Sequence, residues 1–199
     1  MWAKIEVIPS EREIIYLPSL LKEGCRLPDR VAFGDKLVSS SVEYASDLSM
    51  GDGSFEKPGR IRISDTLMKK LMIPEPLVYR VKVTDSCVAI GPVIGFLLGI
   101  HTHRYTPRHM EKYSDRFGIY TKVGGLIYAF SPKSVNWKKR IAYGLYYNIA
   151  TSSWEYGCFP LPEVIYRRDF HSNPCFIRRL IEITGGRLFK SYRFSKYEL

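Results

Sequence analysis

A chain of 199 residues with 45% hydrophobic and 25% charged residues has the composition of a folded globular protein of one large or two small domains, not of a disordered segment. No apolar run reaches the roughly 18 residues that a membrane-spanning helix needs. Met1-Trp2-Ala3-Lys4-Ile5-Glu6 has neither the basic start nor the long apolar core of a secretion signal, so a cytoplasmic location is expected. The formal net charge of +10 is lopsided: residues 1–99 hold 13 Lys+Arg against 13 Asp+Glu, and residues 100–199 hold 17 against 7. A basic second half attracts anions, whether a phosphorylated ligand, an acidic protein partner or nucleic acid.

In chain order, residues 4–8 and 14–17 read as short strands, and Leu17-Pro18-Ser19-Leu20 as a loop or helical turn. Val31–Gly34 reads as a strand and a turn. Residues Lys36–Tyr44 alternate as one half-buried strand. The Gly, Asp and Ser of residues 50–54 mark a loop. Arg60-Ile61-Arg62-Ile63 alternates again, and Ser64 is placed to cap a helix over 65–71 with Leu67, Met68 and Leu71 on one face. Strands follow at 78–83 and 87–90, joined by Thr84-Asp85-Ser86. Short strands and turns with one brief helix predict a small barrel or rolled sheet over residues 1–90.

The rhythm then changes. Val93–Ile100 is a continuous apolar run, as in a strand covered on both faces. Thr106-Pro107 opens a helix, with Met110, Tyr113, Phe117 and Tyr120 in one stripe and Arg108, Lys112 and Arg116 opposite. Gly124-Gly125 closes it, and Leu126–Phe130 is the next buried strand. This is the pattern of a βαβ crossover. Residues 141–147 and 154–158 alternate about a turn, a hairpin whose aromatics can pair across strands. Residues 162–166 form another strand. Asn173-Pro174 opens a second helix, with Phe176, Ile177, Leu180 and Ile181 inward, and Leu188-Phe189 leads into a last strand. The expected class is therefore α+β or α/β: a β-rich N-terminal domain at 1–90 and a basic α/β domain at 91–199.

Cys25, Cys87, Cys158 and Cys175 form no C-x-x-C pair and read as reduced core residues. No complete catalytic set is present. There is no G-x-x-x-x-G-K-[ST], no G-x-G-x-x-G and no G-x-S-x-G.

Four stretches carry a family resemblance. Ile90-Gly91-Pro92-Val93-Ile94-Gly95-Phe96-Leu97 is similar to the "iGPviGil" signature of the YheC/YheD-type ATP-grasp family of endospore coat-associated proteins. Tyr128-Ala129-Phe130-Ser131-Pro132 with Val135-Asn136-Trp137 resembles its "v-F-s-P…v-d-W" segment. Trp154–Phe159 followed by Pro160–Arg168 resembles "W…fPlPdvvYnR", with Arg167 in place of Asn. Phe194–Glu198 resembles "f-l-d-K-W-E", with Tyr197 in place of Trp. The resemblance implies the region before the ATP-grasp core: a barrel-like β-rich domain and a pre-ATP-grasp-like α/β domain. Its relatives resemble ATP-grasp ligases, and ATP and Mg are expected only with a C-terminal core that this sequence does not contain. The chain alone is then expected to be non-catalytic, holding no cofactor, and to offer a substrate, anion or docking surface to an ATP-grasp core. A spore-associated structural protein and a basic nucleic-acid-binding module are the alternatives.

The candidate binding residues follow the apolar runs. His101-Thr102-His103-Arg104 comes directly after one of them, Arg108 lies in the first turn of the following helix, and Arg167-Arg168 closes another run. Ligands of open α/β sheets bind beyond the carboxyl ends of the strands, and arginine suits carboxylate or phosphate. His101, His103 and His109 have no carboxylate or cysteine to complete a metal set, so loop histidines, or a substrate-facing loop, are the other readings. Arg167 and Arg168 are equally placed for a structural ion pair with Asp169 or Glu163.

Overall fold

The computed structural model describes residues 1–22, 27–75, 77–100, 105–117, 120–149, 151–168 and 173–190. The fold is mixed α/β and largely β. In chain order the elements are β1 (Trp2–Ile8), β2 (Ile14–Pro18), β3 (Arg30–Phe33), β4 (Lys36–Ser39), β5 (Ser41–Ala45), β6 (Gly59–Ser64), α1 (Asp65–Leu71), β7 (Val78–Val83) and β8 (Val88–Gly91). They continue with β9 (Val93–Leu97), α2 (Pro107–Met110), α3 (Ser114–Phe117), α4 (Tyr120–Val123), β10 (Leu126–Asn136), β11 (Ile141–Asn148), β12 (Ser153–Pro160), β13 (Val164–Arg167), α5 (Pro174–Ile183) and β14 (Leu188–Lys190).

Strands β1 to β8 make one mixed sheet in the order β4-β3-β8-β7-β1-β6-β2-β5. Its two edge strands are consecutive in the chain. The alternating segment 36–44 is therefore not one strand but two, broken at Ser40, with four residues on one edge and five on the other. One residue spans little more than 3 Å, so the sheet curls until its edges meet. Ser40 is buried at this corner. Its N–H donates to Asp29 O (2.9 Å) and its Oγ to Glu13 O (3.1 Å), so the corner is bonded to the segments leading into β3 and β2. Inside the curl lie Ile15, Leu17, Phe33, Ile61, Ile63 and Tyr79. Helix α1 forms as its spacing predicts. Ser64 Oγ accepts from Leu67 N (3.2 Å), Leu67, Met68 and Leu71 are buried, and Met72 ends the helix in the left-handed region at φ 60°.

Strands β9 to β14 make a second mixed sheet in the order β12-β11-β10-β9-β13-β14. Strand β9 pairs in parallel with β10 on one side and with β13 on the other, and β13 pairs in parallel with β14. The crossover between β9 and β10 is not one helix. It runs as α2, a 3-10 turn at residues 111–113, α3 and α4. Thr106 Oγ1 accepts from His109 N (3.2 Å), Met110 is buried and Gly124 ends the path at φ 63°. In α5, Asn173 Oδ1 caps Cys175 N (2.8 Å). Ile181 is exposed rather than inward, and the stripe continues through Leu180 to buried Thr184. Nor are the described cysteines core residues: Cys87 and Cys158 are half-buried, Cys175 is exposed, and all three are free thiols. Cys175 sits in the first turn of α5, on the side that Phe176 and Ile177 leave to solvent.

The sheets change over between Gly91 and Val93, yet the buried residues of both belong to one continuous cluster. Polar contacts join them. Within the second sheet Glu163 Oε1 accepts from Val93 N (3.0 Å), so this carboxylate holds the start of β9, and the contacts between the sheets lie beside it. Arg80 N donates to Gly124 O (3.0 Å). The Gly34-Asp35 turn between β3 and β4 docks on the second sheet, where Asp35 N donates to Leu161 O (2.9 Å) and Lys36 Nζ to Lys139 O (3.1 Å). A Cβ at Gly34, which lies at φ 58°, would meet Leu161 O at 2.7 Å. The Asp35 side chain is 4% exposed and accepts from Arg140 Nε at 2.7 Å, while its Oδ1 is buried with no hydrogen-bond partner among the described residues.

Burial pushes the Asp35 carboxyl above its usual range despite the pull of Arg140 and Lys36. The folded chain then holds this proton to higher pH than the unfolded chain, whose carboxyl titrates near ~3.9. The stabilising contribution is complete below that value and is lost as pH rises through the folded pKa. Denaturant melts from about pH 4 upward are expected to show this falling component in the wild type and not in Asp35→Asn. Arg140→Ala removes the hydrogen-bonded cation from a buried carboxylate and is expected to cost about 1–3 kcal/mol at neutral pH, less in acid.

Candidate functional site

Because β9, β10, β13 and β14 run the same way, their carboxyl ends share one side of the second sheet. Two reversals, β10 to β11 and β11 to β12, restore the chain direction before it crosses to β13. Arg168 thus leaves its strand beside the end of β9, where its N–H donates to Leu97 O (2.9 Å). It is exposed, with its guanidinium 5.7 Å from the Tyr113 ring centroid. Arg167 is half-buried in β13, in register with Leu97 and Lys190. Glu163, a possible ion partner for the pair, is engaged by Val93 N. Arg108 is exposed on α2, and His109 makes an edge contact with Tyr105 (6.2 Å). His101, His103, Arg104 and Asp169 lie outside the described residues. Among the described residues no group of three or more His, Cys, Asp or Glu is arranged to hold a metal ion.

A cavity of about 350 Å³ opens at this same end. Its floor is Ala129 and Leu145, adjacent on paired strands β10 and β11. Leu98, just beyond β9, and Tyr105 form one wall. Tyr105 Oη accepts from Gly99 N (2.9 Å), which fixes the ring. At the mouth stand Tyr143 and Tyr156, 53% and 67% exposed. Pairing of β10 with β11 shifts between Phe130 and Val135, and the chain between supplies the polar side. Ser131 N donates to Ser134 Oγ (3.2 Å), which in turn donates to Ser131 O (2.9 Å). Ser131 is 3% exposed and its Oγ has no partner among the described residues.

The hairpin aromatics divide into two roles. Tyr147 pairs with Trp154 (5.7 Å), the cross-strand contact that the alternation predicts. Trp154 Nε1 also donates to Ser114 Oγ (3.0 Å), tying the hairpin to the crossover. On the opposite face Tyr146 packs on Phe159 (5.5 Å) and its Oη donates to Glu155 Oε2 (2.9 Å), so burial and that carboxylate push its pKa to about 12. Tyr143 and Tyr156 share the face of Tyr147 but meet the cavity, and among the described residues neither has a ring partner. The cavity residues Ser131, Ala129 and Tyr105 were not among the candidates from sequence, and Tyr143 and Tyr156 entered there only as hairpin aromatics or as stacking residues of the nucleic-acid alternative. The available signal was Ser131-Pro132-Lys133-Ser134, a polar interruption in an apolar strand of the kind that marks a bulge.

No family model, curated protein or solved structure matches the chain.

The cavity floor depends on close backbone approach at β11. A Cβ at Gly144 would meet Ala129 O at 2.4 Å, a backbone atom that cannot step aside. Gly144→Ala is expected to lower stability by about 1–3 kcal/mol, measured by thermal or urea unfolding. Tyr156→Ala, at an exposed position, is expected to stay within about 0.5 kcal/mol of wild type.

Proposed function

We propose that the chain is a non-catalytic binding module whose strand-end surface receives an anionic substrate or an acidic docking partner. The observation that carries this reading is the common direction of β9, β10 and β13, with Arg168 held at that end. The charge supports it, since the whole excess of +10 belongs to residues 100–199. The curled eight-stranded sheet fits a barrel-like N-terminal unit, and the parallel core with its helical crossover fits a pre-ATP-grasp-like unit. Together with the four sequence stretches, they favour the N-terminal region of a YheC/YheD-like ATP-grasp protein, working beside an ATP site supplied by other residues. A cytoplasmic, spore-associated setting belongs to the same proposal.

Two measurements test it. Calorimetry on this chain is expected to show no low-micromolar affinity for Mg·ATP, and such an affinity overturns the division of labour. Inorganic pyrophosphate, followed by phosphorus NMR, is expected to bind with strong salt dependence. Arg168→Ala and Arg108→Ala should each weaken it about 3- to 10-fold, and Arg12→Ala, in an exposed turn of the first sheet, should leave it unchanged. Equal effects from all three substitutions would reduce the strand end to diffuse surface charge.

A further inference from the structure

The cavity at the strand ends differs in chemistry from the basic surface around it. No Lys, Arg, His, Asp or Glu lines it among the described residues. Its floor is aliphatic, and its walls and mouth carry the rings of Tyr105, Tyr143 and Tyr156. A volume of about 350 Å³ lies within the range of small-ligand sites, which are mostly apolar with a few placed polar groups. A bare phosphate gains nothing from such a lining, whereas a ring gains apolar burial and offset contact with tyrosines.

The second observation is Ser131. Its hydroxyl is buried and has no partner among the described residues, a state that costs about 1–3 kcal/mol in a native protein. It lines the cavity, so a turn about its single χ1 torsion brings the Oγ to a ligand atom. A hydrogen bond formed there would satisfy this buried hydroxyl. The neighbouring Ser134 hydroxyl is already engaged with the Ser131 backbone, which leaves Ser131 as the free polar anchor.

Among the described residues the charges stand around the cavity and not in it. Lys133 is exposed within the same Ser131–Ser134 interruption, Arg108 lies one helical turn beyond Tyr105, and Arg168 is bonded to Leu97, next to the wall residue Leu98. We infer that the cavity binds the flat ring of a small aromatic carboxylate, with Ser131 Oγ bonded to a polar atom of the ligand and the carboxylate directed to the basic rim. This deepens the strand-end reading above by naming the ligand class, and rests on it for the anionic group alone.

The test uses three probes on the whole chain, followed by ligand-observed NMR and calorimetry. Benzyl alcohol reads the cavity, acetate reads the rim, and benzoate reads both. Benzoate is expected to bind about tenfold or more tighter than either of the others, and cyclohexanecarboxylate more weakly than benzoate because it is not flat. Ser131→Ala is expected to weaken benzoate about 5- to 10-fold while leaving the melting temperature unchanged or raised, since it deletes an unpartnered buried hydroxyl. Ala129→Leu fills the floor and should abolish both ring probes without affecting acetate, and Tyr156→Ala should weaken both rings severalfold. If benzyl alcohol and benzoate ignore Ala129→Leu, the cavity proposal is wrong even where acetate and pyrophosphate still answer to Arg168. If the rings bind as expected but Arg168→Ala and Lys133→Ala leave the preference for benzoate over benzyl alcohol intact, the cavity stands and the anionic rim falls. Tight binding of a single-stranded oligonucleotide that survives Ala129→Leu, with no binding of the ring probes, would assign Tyr143 and Tyr156 to base stacking and overturn the small-ligand site.

Discussion

The second half of the molecule depends on β9 being hydrogen-bonded in parallel on both sides. Five residues, Val93–Leu97, satisfy the ladders of β10 and β13, and alternate residues of the strand are fully buried. A parallel neighbour requires a crossover that returns the chain to the starting end. The segment α2 to α4 supplies that return before β10. The antiparallel pair β11 and β12 then carries the chain through two reversals before β13. From this pairing comes the meeting of Leu98, Ser131 and Arg168 at one end. The carboxylate of Glu163 fixes the other end of β9 through Val93 N, so the central strand is anchored where it enters and borders the cavity where it leaves.

The first sheet acts on this arrangement by supporting it from outside the site. Its contacts with the second sheet lie at Arg80, the Gly34-Asp35 turn and Lys36, none of which lines the cavity. One apolar cluster passes through both sheets, and the half-exposed Arg140 closes over a carboxyl whose pKa burial raises. The boundary is thus apolar in its interior and ionic at its margin. Apolar burial supplies most of the attraction there, and the ion pair constrains the angle at which the turn docks.

Local chemistry was legible in the sequence, and long-range partnership was not. Ser64, Thr106 and Asn173 each cap the helix that their spacing suggests, because a cap is decided within four residues. Strand faces were legible for the same reason. The break at Ser40 was hidden because Lys36–Tyr44 keeps its alternation across the corner, and alternation reports a face without naming the neighbouring strand. The direction of β13 was also hidden, since it depends on how many reversals precede it. At the site, the arginine at the end of β13 was found from the apolar run before it. The cavity was not found, because Ala129 and Leu145 on its floor have the same residue types as a filled core, and Tyr143 differs from Tyr147 only in what stands opposite.

The corner at Ser40 also governs where this chain is open to strand addition by another molecule. Exposed strand edges are templates for intermolecular pairing, and natural sheets shorten, cover or interrupt them. By sending β4 and β5 to opposite edges from a single residue, the first sheet reduces its edges to four and five residues that turn into each other. The second sheet has no such device on its outer hairpin. Among the described residues β12 is the longer of its two edge strands, eight residues against three in β14, with a proline at its end and Glu155 as its one charge. Among the described residues, self-association through strand pairing therefore has one long template, and it is the strand that carries Tyr156 at the mouth of the cavity, so an aggregate seeded there would close the cavity as it grew.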